Sequence, residues 1–274
     1  MKNLIFLRLL LVFSLFLCQC QNKSDNKPFG KIAADDCYKV LYTQLESMGK
    51  IENPHQKIDA LTQLLDWGTT QLGRQDSAIA QLHIALGTAY YNDYQLQKSV
   101  QTFQEANTLW LQADSTRFSA NISDNYLNIA SVLDDIGNYH LAMNYYEKAL
   151  TAFIQVKDTN LIAETYQLMG VVATNLKDSS NIILHEKGLS ILALKNKPNR
   201  EMRATLWQNK GVDLANNRQY SQSLALFNNV LTYYRAENDS SSIASTAIEM
   251  AKNYLHQGIY SNAINYANQA LSKN

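Results

Sequence analysis

The feature that leaves this chain the fewest choices of fold is a period of about 40 residues running through most of its length. A sequence that repeats at such an interval builds one structural unit several times and stacks the copies. The segment NYLNIASVLDDIGNYHLAMNYYEKAL, residues 125–150, serves as the ruler. In it Ala130 is followed twelve positions later by Ala142, sixteen later by Tyr146 and nineteen later by Ala149, with the turn formers Gly137 and Asn138 between. The same offsets recur from Ala251 (Gly258, Ala263, Ala267, Ala270), from Gly211 (Ser223, Phe227, Val230) and from Gly87 (Ser99, Phe103, Ala106). A fifth copy starts at Gly170 and meets Asn181, His185 and Gly188 if its turn is one residue shorter. The reference positions 87, 130, 170, 211 and 251 stand 43, 40, 41 and 40 residues apart.

The residue types suit two packed helices per copy. Small side chains at Gly87, Ala130, Gly170, Gly211 and Ala251 let two helix backbones approach, and Phe103, Tyr146 and Phe227 fill the wedge between neighbours, so these aromatics belong to a core. Asp76, Asp114, Asp158 and Asp239 are each followed by Ser or Thr just ahead of a copy, which predicts helix N-caps. Residues 37–72 place Leu41, Leu45 and Met48 on one face and Ile58, Leu61, Leu64 and Leu65 on the next, a divergent first pair. With 10 Gly and 3 Pro in 274 residues there is little material for the turns of an all-β fold. The expected architecture is therefore all-α, about six antiparallel helix pairs over residues 37–274.

This pattern resembles the tetratricopeptide repeat: a large residue, Leu, a small residue and Tyr in the first helix, then Ala, an aromatic and Ala in the second. The match is strong at 123–150 and 244–271, good at 80–107 and 204–231, and weak at 163–189. It departs from the usual repeat length of 34 residues and lacks the closing Pro, which implies longer helices or loops. The resemblance implies a right-handed superhelical solenoid whose first helices line a concave groove, and a function of holding a protein or peptide partner there. The positions that such a groove would present are Asn92, Asp135, Asn175, Asn216 and His256, one per copy at the same offset, with Tyr91, Asp134, Gln167, Gln208 and Asn209 beside them. Asn and Gln amides donate and accept together, which suits the backbone of an extended peptide. Any exposed helix face is polar, so the column also fits simple solvation. The Lys and Arg clamp that some members of this family use for a terminal carboxylate is missing apart from Lys252.

Residues 1–20, MKNLIFLRLLLVFSLFLCQC, set Lys2 and Arg8 before the apolar run Leu9 to Leu17, the layout of a secretory signal peptide and too short to span a bilayer comfortably. The run resembles a bacterial lipoprotein signal, which implies acylation at Cys20, with Cys18 as a competing site. Residues 21–36 then read as a polar tether. The expected destination is the cell envelope, either tied to a membrane through that lipid alone or otherwise periplasmic.

Lys plus Arg and Asp plus Glu both total 24, which argues against nucleic acid as a partner. The five His fall in different copies without metal-ligand spacing, and no Gly-rich phosphate loop or GxSxG elbow is present. Asp134 and Asp135 point about 100° apart on a helix and make a poor catalytic dyad. No cofactor and no enzymatic role are expected. The three Trp, at 67, 110 and 207, are scattered, which argues against a carbohydrate platform, and Trp207 falls at a buried first-helix position of its copy. The leading reading is an interaction scaffold or adaptor. The alternative is an extracytoplasmic sensor module, which would need an output domain beyond residue 274 or a separate signalling partner.

Overall fold

The computed structural model describes residues 34–194 and 199–271. The signal segment 1–20, Cys20 and most of the tether lie outside the described residues. Twelve helices occur among the described residues: α1 (Ala34–Met48), α2 (Pro54–Leu72), α3 (Ser77–Asn92), α4 (Leu96–Asp114), α5 (Ser119–Asp135), α6 (Tyr139–Val156), α7 (Thr159–Asn175), α8 (Asn181–Ala193), α9 (Arg200–Asn216), α10 (Tyr220–Glu237), α11 (Ser240–His256) and α12 (Tyr260–Leu271). The first begins three residues earlier than expected. Residues 41–274 form one compact unit, and residues 1–40 another, of which only the opening turns of α1 are described.

Within the larger unit, α3 packs on α4, α5 on α6, α7 on α8, α9 on α10 and α11 on α12, and each pair then packs on the next through α4·α5, α6·α7, α8·α9 and α10·α11. The small residue that opens each copy explains the close pairing. A Cβ on Gly87 would come within 2.6 Å of the Phe103 ring, one on Gly211 within 2.7 Å of Phe227, and one on Gly170 within 2.3 Å of the His185 ring. Two of these junctions are also bonded, since Ser99 donates to the Gly87 carbonyl (2.8 Å) and Ser223 to that of Gly211 (2.7 Å). Tyr146 takes the same place over Ala130, and both are fully buried.

The turn inside each pair is one motif made five times. Tyr94, Gly137, Lys177, Arg218 and Gly258 stand seven residues after their reference positions and all have φ between 57° and 83°. After each, the next backbone N–H reaches back to a carbonyl five residues earlier (Gln95 to Tyr90, Asn138 to Leu133, Asp178 to Ala173, Gln219 to Leu214, Ile259 to Tyr254, all 2.8–2.9 Å). This is a Schellman closure, which satisfies carbonyls orphaned at the helix end. The copy at Gly170 keeps this closure. Its missing residue is removed afterwards, where Asp178 accepts from the Ser180 N–H and α8 starts late.

Asp76, Asp158 and Asp239 cap α3, α7 and α11 by accepting from backbone N–H groups of the first turn. Asp114 does not cap a helix. It is the last residue of α4, and its carboxylate accepts from Thr116 and Arg117 to hold the turn at 115–118, so α5 starts only at Ser119 without a side-chain cap. Asn53 and Asn199 cap α2 and α9 instead.

No pair buries its apolar face alone. One cluster joins Phe103 of α4, Ile129 and Val132 of α5, Tyr146 of α6, Met169 and Val172 of α7 and Leu184 of α8. Four first helices enter the stack at the same two positions with an isoleucine and a small residue, Ile79–Ala80, Ile122–Ser123, Ile162–Ala163 and Ile243–Ala244, all buried. In α9 the pair is Arg203–Ala204, and the Arg203 guanidinium lies 5.0 Å over the ring of Trp207. That stacking leaves Trp207 half-buried at the protein surface, not enclosed as its place in the repeat suggested.

Candidate functional site

First helices of neighbouring copies approach one another directly, α7 against α9 and α9 against α11, and among the described residues the second helices show no comparable approach. The first-helix side is therefore the inner side of the stack, where the candidate contacts were placed. Asn92, Asp135, Asn175, Asn216 and His256 are all exposed there, as is Tyr91, while Asp134, Gln167, Gln208 and Asn209 are half-buried.

The structure divides these residues into two groups. Some of them tie one copy to the next. The Tyr91 hydroxyl of α3 donates to Asp135 of α5 (2.7 Å), and Asn175 of α7 hydrogen-bonds the Asp134 carboxylate of α5. Thr174 of α7 donates to Asp213 of α9 (2.8 Å), and Thr246 of α11 donates to Gln208 of α9 (3.0 Å). Every successive pair of first helices from α3 to α11 is thus clasped by a polar side chain. Among the described residues the others make no side-chain hydrogen bond: Asn92, Asn216 and His256 leave their amide and imidazole groups to solvent, and Gln167 and Asn209 are half-buried.

The electrostatics follow from this packing. Burial, then the charge of Asp135, pushes the Asp134 carboxyl up, and the Asn175 hydrogen bond draws it partly back. The bond to Asp135 raises the Tyr91 phenol, because donation to a carboxylate favours its protonated form. Burial pushes the Tyr146 phenol up to about 12, in keeping with a core role.

Sequence reasoning missed one polar centre behind this face. His185 and Asp213 are 1% and 2% exposed, and His185 Nε2 lies 3.2 Å from Asp213 Oδ2. The Thr174 hydroxyl sits within reach of both Asp213 and the Gly170 carbonyl, and Asn181 donates to it (3.2 Å). The available signal was a break in the repeat. Where the other copies carry Ala89, Val132, Val172 and Asn253, the copy at Gly211 carries a carboxylate.

Comparison with known proteins agrees with this geometry. The family model described as Tetratricopeptide repeat matches residues 123–152, the copy used as the ruler. The array is a tetratricopeptide-repeat fold. Similar solved structures share it at low identity. One is Pseudomonas Aeruginosa pilF (TM-score 0.58, 13% identity, 86% of this chain and 90% of that one). Another is a Rap protein complexed with Competence and Sporulation Factor (TM-score 0.57, 13% identity, 86% and 74%). A third is YrrB, a tetratricopeptide protein with an unusual peptide-binding site (TM-score 0.50, 17% identity, 76% and 91%). No curated protein matches the sequence significantly.

In this tetratricopeptide array a cleft of about 820 Å³ lies at the C-terminal ends of α9 and α11 and the turns that follow them, lined by Ala215, Asn216, Arg218, Tyr220, His256, Gln257 and Ile259. Two of the unbonded column residues, Asn216 and His256, form part of its wall. Its lining carries amides, a guanidinium, an imidazole and a phenol, and no carboxylate.

Proposed function

We propose that this tetratricopeptide array is a non-enzymatic interaction scaffold that holds an extended segment of a partner protein along its first-helix face. The observation that carries the reading is the set of uncommitted polar side chains at one offset, Asn92, Asn216 and His256, set beside clasps that keep the face rigid. A pre-organised face loses little on binding, and exposed amides can pair with the N–H and C=O groups of a peptide backbone. The peptide-binding site of YrrB and the factor bound by the Rap protein are precedents within the same fold for such an occupant. The balanced charge supports a protein partner over nucleic acid.

The scaffold acts at the cell envelope in this reading. Residues 1–20 carry it out of the cytoplasm, and acylation of Cys20 ties it to a membrane. The short charged-then-apolar segment and the polar run that follows support this.

Pull-down from envelope extracts with residues 21–274, beside a variant with Asn92, Asn216 and His256 changed to Ala, tests the face. Tyr91, Asp134, Asp135 and Asn175 are left intact because they hold the copies together. A partner enriched by the parent and lost by an equally helical variant supports the reading, and equal enrichment by both removes it. For the anchor, Cys20→Ala is expected to abolish fatty-acid labelling and membrane fractionation of the full chain. Labelling that persists in Cys20→Ala and disappears in Cys18→Ala moves the anchor to Cys18.

A further inference from the structure

The contact between one helix pair and the first helix of the next is built repeatedly in this chain, and the receiving positions recur at fixed offsets. In the copy at Ala130 they are Leu127 of α5 with Met143 and Leu150 of α6, partly buried against a core that includes Met169 and Val172 of the incoming α7. In the copy at Gly211, Leu224 and Leu231 of α10 receive Ile243 and Met250 of α11 in the same way. In the last copy the same offsets fall on Ile248 of α11 and on Ile264 and Leu271 of α12. These are 45%, 60% and 73% exposed, and Leu255 beside them is 55% exposed. The apolar face of the repeat junction is thus present once more, with nothing on it among the described residues.

We propose that this face of α11 and α12 is a second docking site, separate from the first-helix column, and that its occupant is an amphipathic helix of a partner protein seated as a further first helix. The chain itself specifies the chemistry of that helix. The incoming helices carry a branched apolar residue followed by a small one, then a hydrogen-bonding residue two positions on, then an apolar residue one turn later: Ile122, Ser123, Asn125 and Ile129 in α5, and Ile162, Ala163, Thr165 and Met169 in α7. In α5 this residue ties the helix to the pair it packs on, Asn125 donating to the Phe103 carbonyl (2.7 Å) and to Asn107 (2.9 Å) of α4, whereas in α7 Thr165 donates to the Leu161 carbonyl of its own helix (2.6 Å). Helix-in-groove recognition of this kind reads anchors spaced by three and four residues.

The test uses a fluorescein-labelled peptide of residues 158–178, which holds α7 and its Asp158 cap, titrated with the full chain and followed by anisotropy. Saturable binding is expected, weakened at least about tenfold by Ile264→Glu, the loss that follows removal of a central apolar anchor. Ile264 is exposed, so circular dichroism and melting of that variant should match the parent. A peptide carrying Ile162→Asp and Met169→Asp should not bind, and the Asn92, Asn216 and His256 triple variant should bind like the parent. Absence of binding by the parent peptide, or binding that Ile264→Glu leaves unchanged, overturns the proposal. So does a parent dimer in sedimentation that Ile264→Glu dissolves, because a second copy would then be the occupant.

Discussion

His185 shows at the scale of one residue what a departure from the repeat costs and what compensates it. Its siblings Phe103, Tyr146 and Phe227 fill the wedge over a small residue with an aromatic ring. The imidazole fills the same space over Gly170 but brings nitrogen atoms into the core, where Asp213 lies beside it and is itself bonded by the Thr174 hydroxyl. Asp213→Ala leaves the buried His185 ring and the Thr174 hydroxyl without the carboxylate and is expected to lower stability by about 1–3 kcal/mol, read from the urea midpoint. The double change His185→Phe with Asp213→Val, residues that sibling copies carry, is expected to be near neutral or stabilising. A second residue-scale prediction concerns Glu164, whose carboxyl is raised by burial and then by Asp124 and Asp158. The folded chain binds that proton more tightly than the unfolded chain, so ionised Glu164 weakens the fold at neutral pH and the penalty disappears as pH falls through its raised folded value. Glu164→Gln should therefore melt above the parent at pH 7. The gap should close below the ordinary glutamate value of 4.5.

At the scale of the element, glycine serves two purposes that a residue count cannot separate. Gly137 and Gly258 have positive φ, and a Cβ on either would meet nothing within 4 Å, so their role is conformational. Gly137→Ala is expected to cost about 1–2 kcal/mol through the left-handed backbone alone. Lys177→Gly, at the same turn position in the copy at Gly170, should raise the melting temperature modestly, because relief of the strained φ outweighs the added chain entropy. Gly87, Gly170 and Gly211 serve close approach, and the offset from the aromatic partner made that legible in the sequence. Tyr94, Lys177 and Arg218 carried no such mark. Nothing in a Tyr or Lys side chain announces a left-handed turn, and only their common offset shows it. Asp114 failed as a cap for a related reason, since Asp–Ser marks a backbone turn equally well whether or not a helix follows at once.

For the whole molecule, the period alone made the helix-pair array legible, because stacking is the one way such copies bury a shared face. The candidate face was legible only in part. The pattern located Asn92, Asp135, Asn175, Asn216 and His256 on one side, but a polar residue on a helix face does not reveal its bonding partner. Tyr91, Asp134, Asp135, Asn175 and Gln208 are clasps between copies, a role that appears only once the first helices are packed. Since one apolar cluster runs from α4 to α8, damage in one copy should reach its neighbours. Tyr146→Ala is expected to cost about 3–5 kcal/mol and to lower hydrogen-exchange protection in α5 and α7 as well as α6. The central claim is that a partner lies on the first-helix side. Its most direct test is a photo-crosslinking amino acid placed in the full chain at Asn216 of α9 and, separately, at Asn228 of α10, both exposed. The account predicts a partner crosslink from position 216 and none from 228; a crosslink from 228 alone, or equally from both, would contradict it.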